Sequence, residues 1–263
     1  MTRLLSGVAL AAAALAAILF LPLPALRVVA CLVAALAAHE YLGIVERERR
    51  AVNTVPVLVL VVLACWWFSG GRGSPGGGTT VLLLLLLGVA WAAIEVLRGF
   101  ALERARLRLL APWYLGMPLG MLAAVQMVGG RTATLLLIAT VIVSDSAQYY
   151  TGRLFGRRPL APTISPKKTV EGAVGGLVVA TIFIALAGTW VFPETGFGSL
   201  ALLGVAIVVL GISGDLFESR LKRTAGVKDS SALIPGHGGI LDRIDALLFA
   251  APAYYLYLVD WWG

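Results

Sequence analysis

Nine apolar runs alternate with short polar connections along the whole chain. They lie at roughly 4–23, 27–45, 52–69, 80–97, 111–128, 132–150, 172–191, 199–217 and 242–260. Each approaches the length of about 20 apolar residues with which a helix crosses a bilayer. The pattern predicts an all-α fold, a polytopic membrane helix bundle of about nine transmembrane helices. Because the runs extend from end to end, residues 1–263 are expected to form a single integral-membrane domain. Pro22 and Pro24 leave a very tight connection between the first two runs. The first run, behind Arg3, has the look of a signal peptide, but its length and the eight runs that follow favour an uncleaved helix.

Composition agrees with the pattern. The chain is 59% hydrophobic and 13% charged, about half the charged fraction of roughly 25% found in soluble domains, and its mean hydropathy is +0.91. Cys31 and Cys65 fall in apolar runs, away from any histidine or acidic cluster, and read as small buried hydrophobes. The net charge is +7, and its placement is more informative than its size. With the amino terminus inside, every Lys and Arg except Arg27, Arg72 and Arg131 falls on the inner side. Basic residues mark cytoplasmic connections, so the amino terminus is expected to be cytoplasmic. The segments 151–171 and 218–241, both rich in charge, then face the nucleotide pool from a plasma (inner) membrane. Membrane lipids are expected partners, and nucleic acid is not.

The outer connections carry little chemistry. Residues 70–78 read as a flexible glycine-rich turn and 191–198 as another turn. Trp66, Trp67, Trp190, Trp261 and Trp262 lie at outer span ends, as interfacial anchors do. The segment 101–113 mixes Arg and Leu; it reads equally as a helix lying along the inner surface or as a solvated linker.

Glu40, Glu95, Asp145 and Asp215 all sit inside apolar runs. Each costs about 2.5–3.5 kcal/mol near the bilayer centre and less near its edges. For Glu40, Glu95 and the neighbouring His39, a structural hydrogen bond within the bundle and a functional role both stay open. Asp145 is different, because it opens SDSAQYYTGRLFG at the inner end of the sixth run and leads into a basic loop. Tyr149, four residues on, shares its helical face.

The densest chemistry lies in Ser219–Asp245, SRLKRTAGVKDSSALIPGHGGILDRID, between the last two apolar runs. Acidic groups flank a basic, glycine-containing loop, as suits a protein that holds a divalent cation and a polyphosphate together. Asp215 and Asp242 come from the inner ends of two spans. Asp242 and Asp245, three residues apart, can share one helical face. Carboxylates with water and phosphate oxygens suit Mg²⁺, so Asp215, Asp242 and Asp245 are the expected metal ligands, with a second cation left open. Glu218 either joins them or pairs with a basic neighbour. A second motif, ISPKKTVEG at 164–172, places lysines and hydroxyls ahead of a helix expected to start near Gly172, a natural anion site. Lipid-headgroup anchoring is the alternative there.

The long stretch resembles the signature of the phosphatidate cytidylyltransferases (CDP-diacylglycerol synthases). Ser219, Lys222, Arg223, Lys228, Asp229, Ser231, Pro235, His237, Gly238, Gly239, Asp242, Arg243 and Asp245 fall on its fixed positions. Ser165, Pro166, Lys168, Thr169, Glu171 and Gly172 are similar to a second family segment, with Val170 where an aromatic is common. Ile212 and Ser213 replace a polar setting common before the GDLFES motif.

The resemblance implies transfer of a cytidylyl group from CTP to phosphatidic acid, giving CDP-diacylglycerol and pyrophosphate, with the catalytic half at about 132–260. It implies catalytic roles for Asp215, Asp242, Asp245, Lys222 and Arg223. Substrate binding falls to Asp145, Ser165, Lys167, Lys168, Thr169, Ser219, Lys228, Asp229, His237, Gly238, Gly239 and Arg243. Pairing into a homodimer is left open. A CTP-dependent kinase of polyprenol or phytol type is the close rival, and a transporter with buried carboxylates the more distant one.

Overall fold

The computed structural model describes residues 2–45, 51–71, 102–236 and 238–261. The apolar run 80–97 with Glu95, the basic residues at 47–50, Arg72, Arg98, His237 and Trp262 lie outside the described residues. Each of the other eight apolar runs falls on helix. Among the described residues, four helical stretches are long and apolar enough to cross a membrane: Leu23–Val45, Arg106–Phe155, Val170–Val191 and Phe197–Thr224. The chain is therefore an all-α membrane protein, with one small hairpin as its only paired strands among the described residues.

The chain divides into two compact units, residues 1–127 with 229–243, and residues 128–228 with 244–263. The first unit contains α1 (Thr2–Phe20), α2 (Leu23–Val45), α3 (Ala51–Phe68), α4 (Leu102–Ala111), a π-helical turn at Pro112–Gly116 and the start of α5 (Met117–Phe155). Its core follows helical spacing. Ala34, Ala37, Ala38 and Tyr41 form one buried stripe on α2, and Val57, Val61, Ala64 and Cys65 form another on α3. Gly116 lies so close to α3 that a Cβ there would come within 2.5 Å of the Val61 carbonyl oxygen. Cys31 and Cys65 are both buried, with no disulfide.

Residues 102–111 are helical and packed against α2, not a plain solvated linker. The Tyr41 hydroxyl donates to the Leu107 carbonyl at 2.8 Å, and its ring meets Tyr114 at 5.8 Å. Arg108 is buried whereas Arg106 is exposed, so these two basic residues do not share one outward face. Helix α5 is interrupted at Gly130, where φ is 76° and ψ −175°. A side chain is strained at such a φ, and glycine permits the break.

In the second unit, α5 runs on to Phe155 and is followed by β1 (Pro159–Ala161), β2 (Ser165–Thr169), α6 (Val170–Val191), α7 (Phe197–Thr224) and α8 (Leu241–Trp261), whose first turn belongs to the first unit. The segment read as a basic loop is thus partly an antiparallel hairpin, with Pro159 opposite Thr169 and Ala161 opposite Ser165. Glu171 holds its base. The Glu171 Oε2 atom accepts from the backbone N–H of Arg157 at 3.0 Å and of Arg158 at 3.1 Å. Thr169 ends the strand and caps α6, its hydroxyl accepting from Gly172 N–H at 3.1 Å. On α7, Gly214 admits α8 closely: a Cβ there would lie 2.5 Å from the Asp245 carbonyl oxygen.

Candidate active site

Helix α5 brings Asp145, Gln148, Tyr149, Gly152 and Arg153 to one face, since these positions recur at intervals of three and four residues. With Ser165, Lys167, Lys168 and Thr169 of the hairpin, Gly172 and Ala173 of α6, and Asp215 of α7, they line a pocket of about 510 Å³. Three stretches far apart in sequence therefore meet in one cavity. Helices α5 and α6 touch through glycines, and a Cβ on Gly172 would come within 2.8 Å of the Gln148 carbonyl oxygen.

The pocket lining carries groups of both charges. Lys168 forms an ion pair with Asp215, each side chain about one quarter exposed. The Ser219 hydroxyl, one turn along α7, donates to Asp215 Oδ1 at 3.3 Å. Gln148 Nε2 donates to Asp145 Oδ1 at 3.4 Å and to the Ser144 hydroxyl at 3.1 Å. Arg153 reaches the Tyr149 hydroxyl at 3.4 Å, and the Tyr149 ring is well exposed.

The close crossing at Gly214 sets the Asp245 backbone against α7, one residue from Asp215. Glu218 is fully buried, and Lys222 lies 3.1 Å from its carboxylate. A buried carboxylate is costly unless paired, and Lys222 supplies the compensating charge. Arg223 braces the hairpin, donating to the Ile164 carbonyl at 3.3 Å and to the Val227 carbonyl at 3.1 Å. Lys228 is exposed.

The glycine-rich end of the signature belongs to the first unit, where it folds around two carboxylates. Asp242 Oδ2 accepts from Ser230 N–H at 2.9 Å and Gly239 N–H at 2.8 Å, and lies 2.8 Å from the Ser230 hydroxyl. Glu40, 3% exposed on α2, lies 3.0 Å from the Ser230 hydroxyl and accepts from the Ser231 hydroxyl at 2.7 Å. It also accepts from the N–H groups of Ile240 at 3.0 Å and Leu241 at 2.8 Å. Gly238 has φ 77° and packs against the Asp242 carboxylate; the space beside Gly239 is filled by Ser230 and Glu40. Asp229 and Arg243 have exposed side chains.

Of the residues singled out in the sequence, the structure gathers Asp145, Ser165, Lys167, Lys168, Thr169 and Asp215 in the pocket, with Ser219 and the Asp245 backbone adjoining. Asp242, Gly238 and Gly239 form the loop cluster. Gln148 and Arg153 also line the pocket, and their spacing from Asp145 is a signal the sequence carries. Glu40 carried no local signal, since its partners lie about 190–200 residues later. Among the described residues, no three Asp, Glu, His or Cys side chains are gathered closely enough to hold a metal by themselves.

Comparison with known proteins gives these clusters a context. The profile of the cytidylyltransferase family matches residues 1–260. The chain belongs to that family. It is 47% identical over 133 residues to a phosphatidate cytidylyltransferase of Haemophilus influenzae, covering 48% of this chain and 46% of the relative. To that of Aquifex aeolicus it is 43% identical over 122 residues, covering 46% and 45%. To that of Bacillus subtilis it is 36% identical over 167 residues, covering 63% and 62%. The matches thus span about half to three fifths of the length of these relatives.

Proposed function

We propose that the protein transfers the cytidylyl group of CTP to phosphatidic acid. An oxygen of the lipid phosphate attacks the α-phosphorus, the bond to the bridging β-phosphate oxygen breaks, and pyrophosphate leaves. CDP-diacylglycerol is the lipid product. The nucleophile is already an anion and needs no strong base. The barrier is repulsion between two polyanions and charge growing on the leaving group, which fixed positive groups relieve.

The observation that carries this reading is the single pocket in which Lys167, Lys168 and Arg153 face Asp145 and Asp215, in a chain of the cytidylyltransferase family. Lys167, Lys168 and Arg153 neutralise the incoming phosphates. Ser165 and Thr169 offer hydroxyls to the same oxygens, although Thr169 also caps α6. Lys222 holds the buried Glu218, and Arg223 fixes the hairpin on which Lys167 and Lys168 ride.

Mg²⁺ is part of the proposal. One or two carboxylates plus substrate phosphates suffice for this ion. Asp215 and Asp145 line one cavity, so the donor set fits without a closed protein cage. When bound, Mg²⁺ supplies charge neutralisation at the phosphates. Lys168 compensates Asp215 in the present arrangement.

The reading includes about nine spans, a cytoplasmic amino terminus, and an inner-membrane location with the pocket open to the cytoplasm. The distribution of Lys and Arg supports it. The deciding experiment uses the purified full chain with phosphatidic acid and CTP labelled at either the α- or the γ-phosphorus. Label from the α-position in lipid is the expected result. Label from the γ-position would mean a lipid kinase, and no labelled lipid would overturn both readings.

A further inference from the structure

We propose that Glu40 is a positioning residue for the signature loop, setting the start of α8 for the reaction. The inference rests on the proposed cytidylyl transfer for its kinetic part only. Glu40 is 3% exposed on an apolar helix. A carboxylate there is expensive unless its oxygens are satisfied. Its partners are concentrated in one place, on Ser230, Ser231, Ile240 and Leu241.

Two of those partners decide its role. Leu241 opens α8, and its N–H and that of Ile240 are among the helix-end donors that no intrahelical carbonyl can satisfy. Glu40 accepts both, so an anion from α2 caps α8 across almost the whole length of the sequence. Local capping is shared with Asp242, whose Oδ2 takes the Ser230 and Gly239 N–H groups. The Ser230 hydroxyl lies within hydrogen-bond distance of both carboxylates and joins the two caps.

The glycine pair has the same cause. A Cβ on Gly239 would run into the Ser230 hydroxyl and the Glu40 carboxylate. The loop is therefore shaped to fit closely around Glu40. Any shift of this anchor moves the first turn of α8, which carries Asp242 and Arg243 and leads to Asp245. Misplacement of reacting groups by about 1 Å can cost on the order of 100-fold in rate.

The test compares wild type with Glu40→Gln and Glu40→Asp in the full chain, and adds Ser231→Ala alone and combined with Glu40→Gln. Two readouts are taken: amide hydrogen exchange over 230–241, and the kcat and KM of CTP-dependent lipid labelling. Glu40→Gln should raise exchange at 240–241 while exchange in α6 is unchanged. It should lower kcat by roughly 100-fold with KM for phosphatidic acid changed less than about threefold. Glu40→Asp should recover part of the rate. Ser231→Ala should lower kcat alone but add little on top of Glu40→Gln, because both remove the same link.

Unchanged exchange, or a normal kcat in Glu40→Gln, would overturn the inference. If Glu40→Gln fails to fold, Ser231→Ala and Glu40→Asp decide, and normal exchange and kcat in both would overturn it. A wild-type protein without CTP-dependent activity would sink the proposed reaction instead, and the exchange comparison would still judge the anchor.

Discussion

Lys168, at the end of a short β-hairpin, pairs with Asp215, which sits in the C-terminal part of a long, largely apolar helix. The pair joins the two sequence motifs in one cavity and explains how a carboxylate is tolerated in that helix. Asp215→Asn should lower turnover by at least about 100-fold, the scale of losing a principal electrostatic group. Lys168→Met should do nearly the same while leaving Asp215 without its partner. Both side chains are partly solvated, so thermal stability in detergent should shift little. Turnover within about twofold of wild type for Asp215→Asn would remove that residue from the chemistry.

Gly214 sets the distance between α7 and α8. In Gly214→Ala the new methyl would lie 2.5 Å from the Asp245 carbonyl oxygen and 3.0 Å from the Phe249 ring. Backbone must move, at a cost of about 1–3 kcal/mol. A lower unfolding temperature and a loss of activity are both expected. The control is Gly198→Ala, where a Cβ meets nothing within 4 Å, and where activity should be unchanged.

Metal dependence separates the carboxylates. Chelation should abolish labelling, and added Mg²⁺ should restore it. Asp245→Asn should raise the Mg²⁺ concentration for half-maximal rate by roughly tenfold, as loss of one ligand would. Asp242→Asn should lower kcat and raise amide exchange over 230–240, because its Oδ2 holds the loop. A shift in Mg²⁺ requirement in Asp242→Asn would assign that carboxylate to the ion as well.

Arg153 offers a test of the pocket mouth. It lines the cavity and touches the Tyr149 hydroxyl. Arg153→Ala removes one phosphate-facing cation and should raise a substrate KM by about tenfold, with kcat nearly unchanged. Steady-state kinetics with each substrate varied in turn would show which phosphate it serves. Unaltered KM values for both substrates would place the guanidinium outside the binding site.

The helices, the membrane class and most pocket residues were legible in the chain alone. Hydropathy is a local property: about 20 apolar residues in a row dictate a helix in lipid wherever they occur. The SPKKT and signature motifs were equally plain, because their chemistry is written in consecutive residues. The hairpin at 159–169 was less so, since a short strand pair in a basic segment has no strong periodic signal.

Partnership was decided only in three dimensions. Nothing in the sequence distinguished Glu40 from Glu95, or said that Lys168 would meet Asp215. Those choices depend on which helix faces meet, and glycines such as Gly214 and Gly239 allow the meeting by leaving room for another residue's atoms. Residue type determines that a buried carboxylate must find donors; packing across distant segments determines which donors it finds.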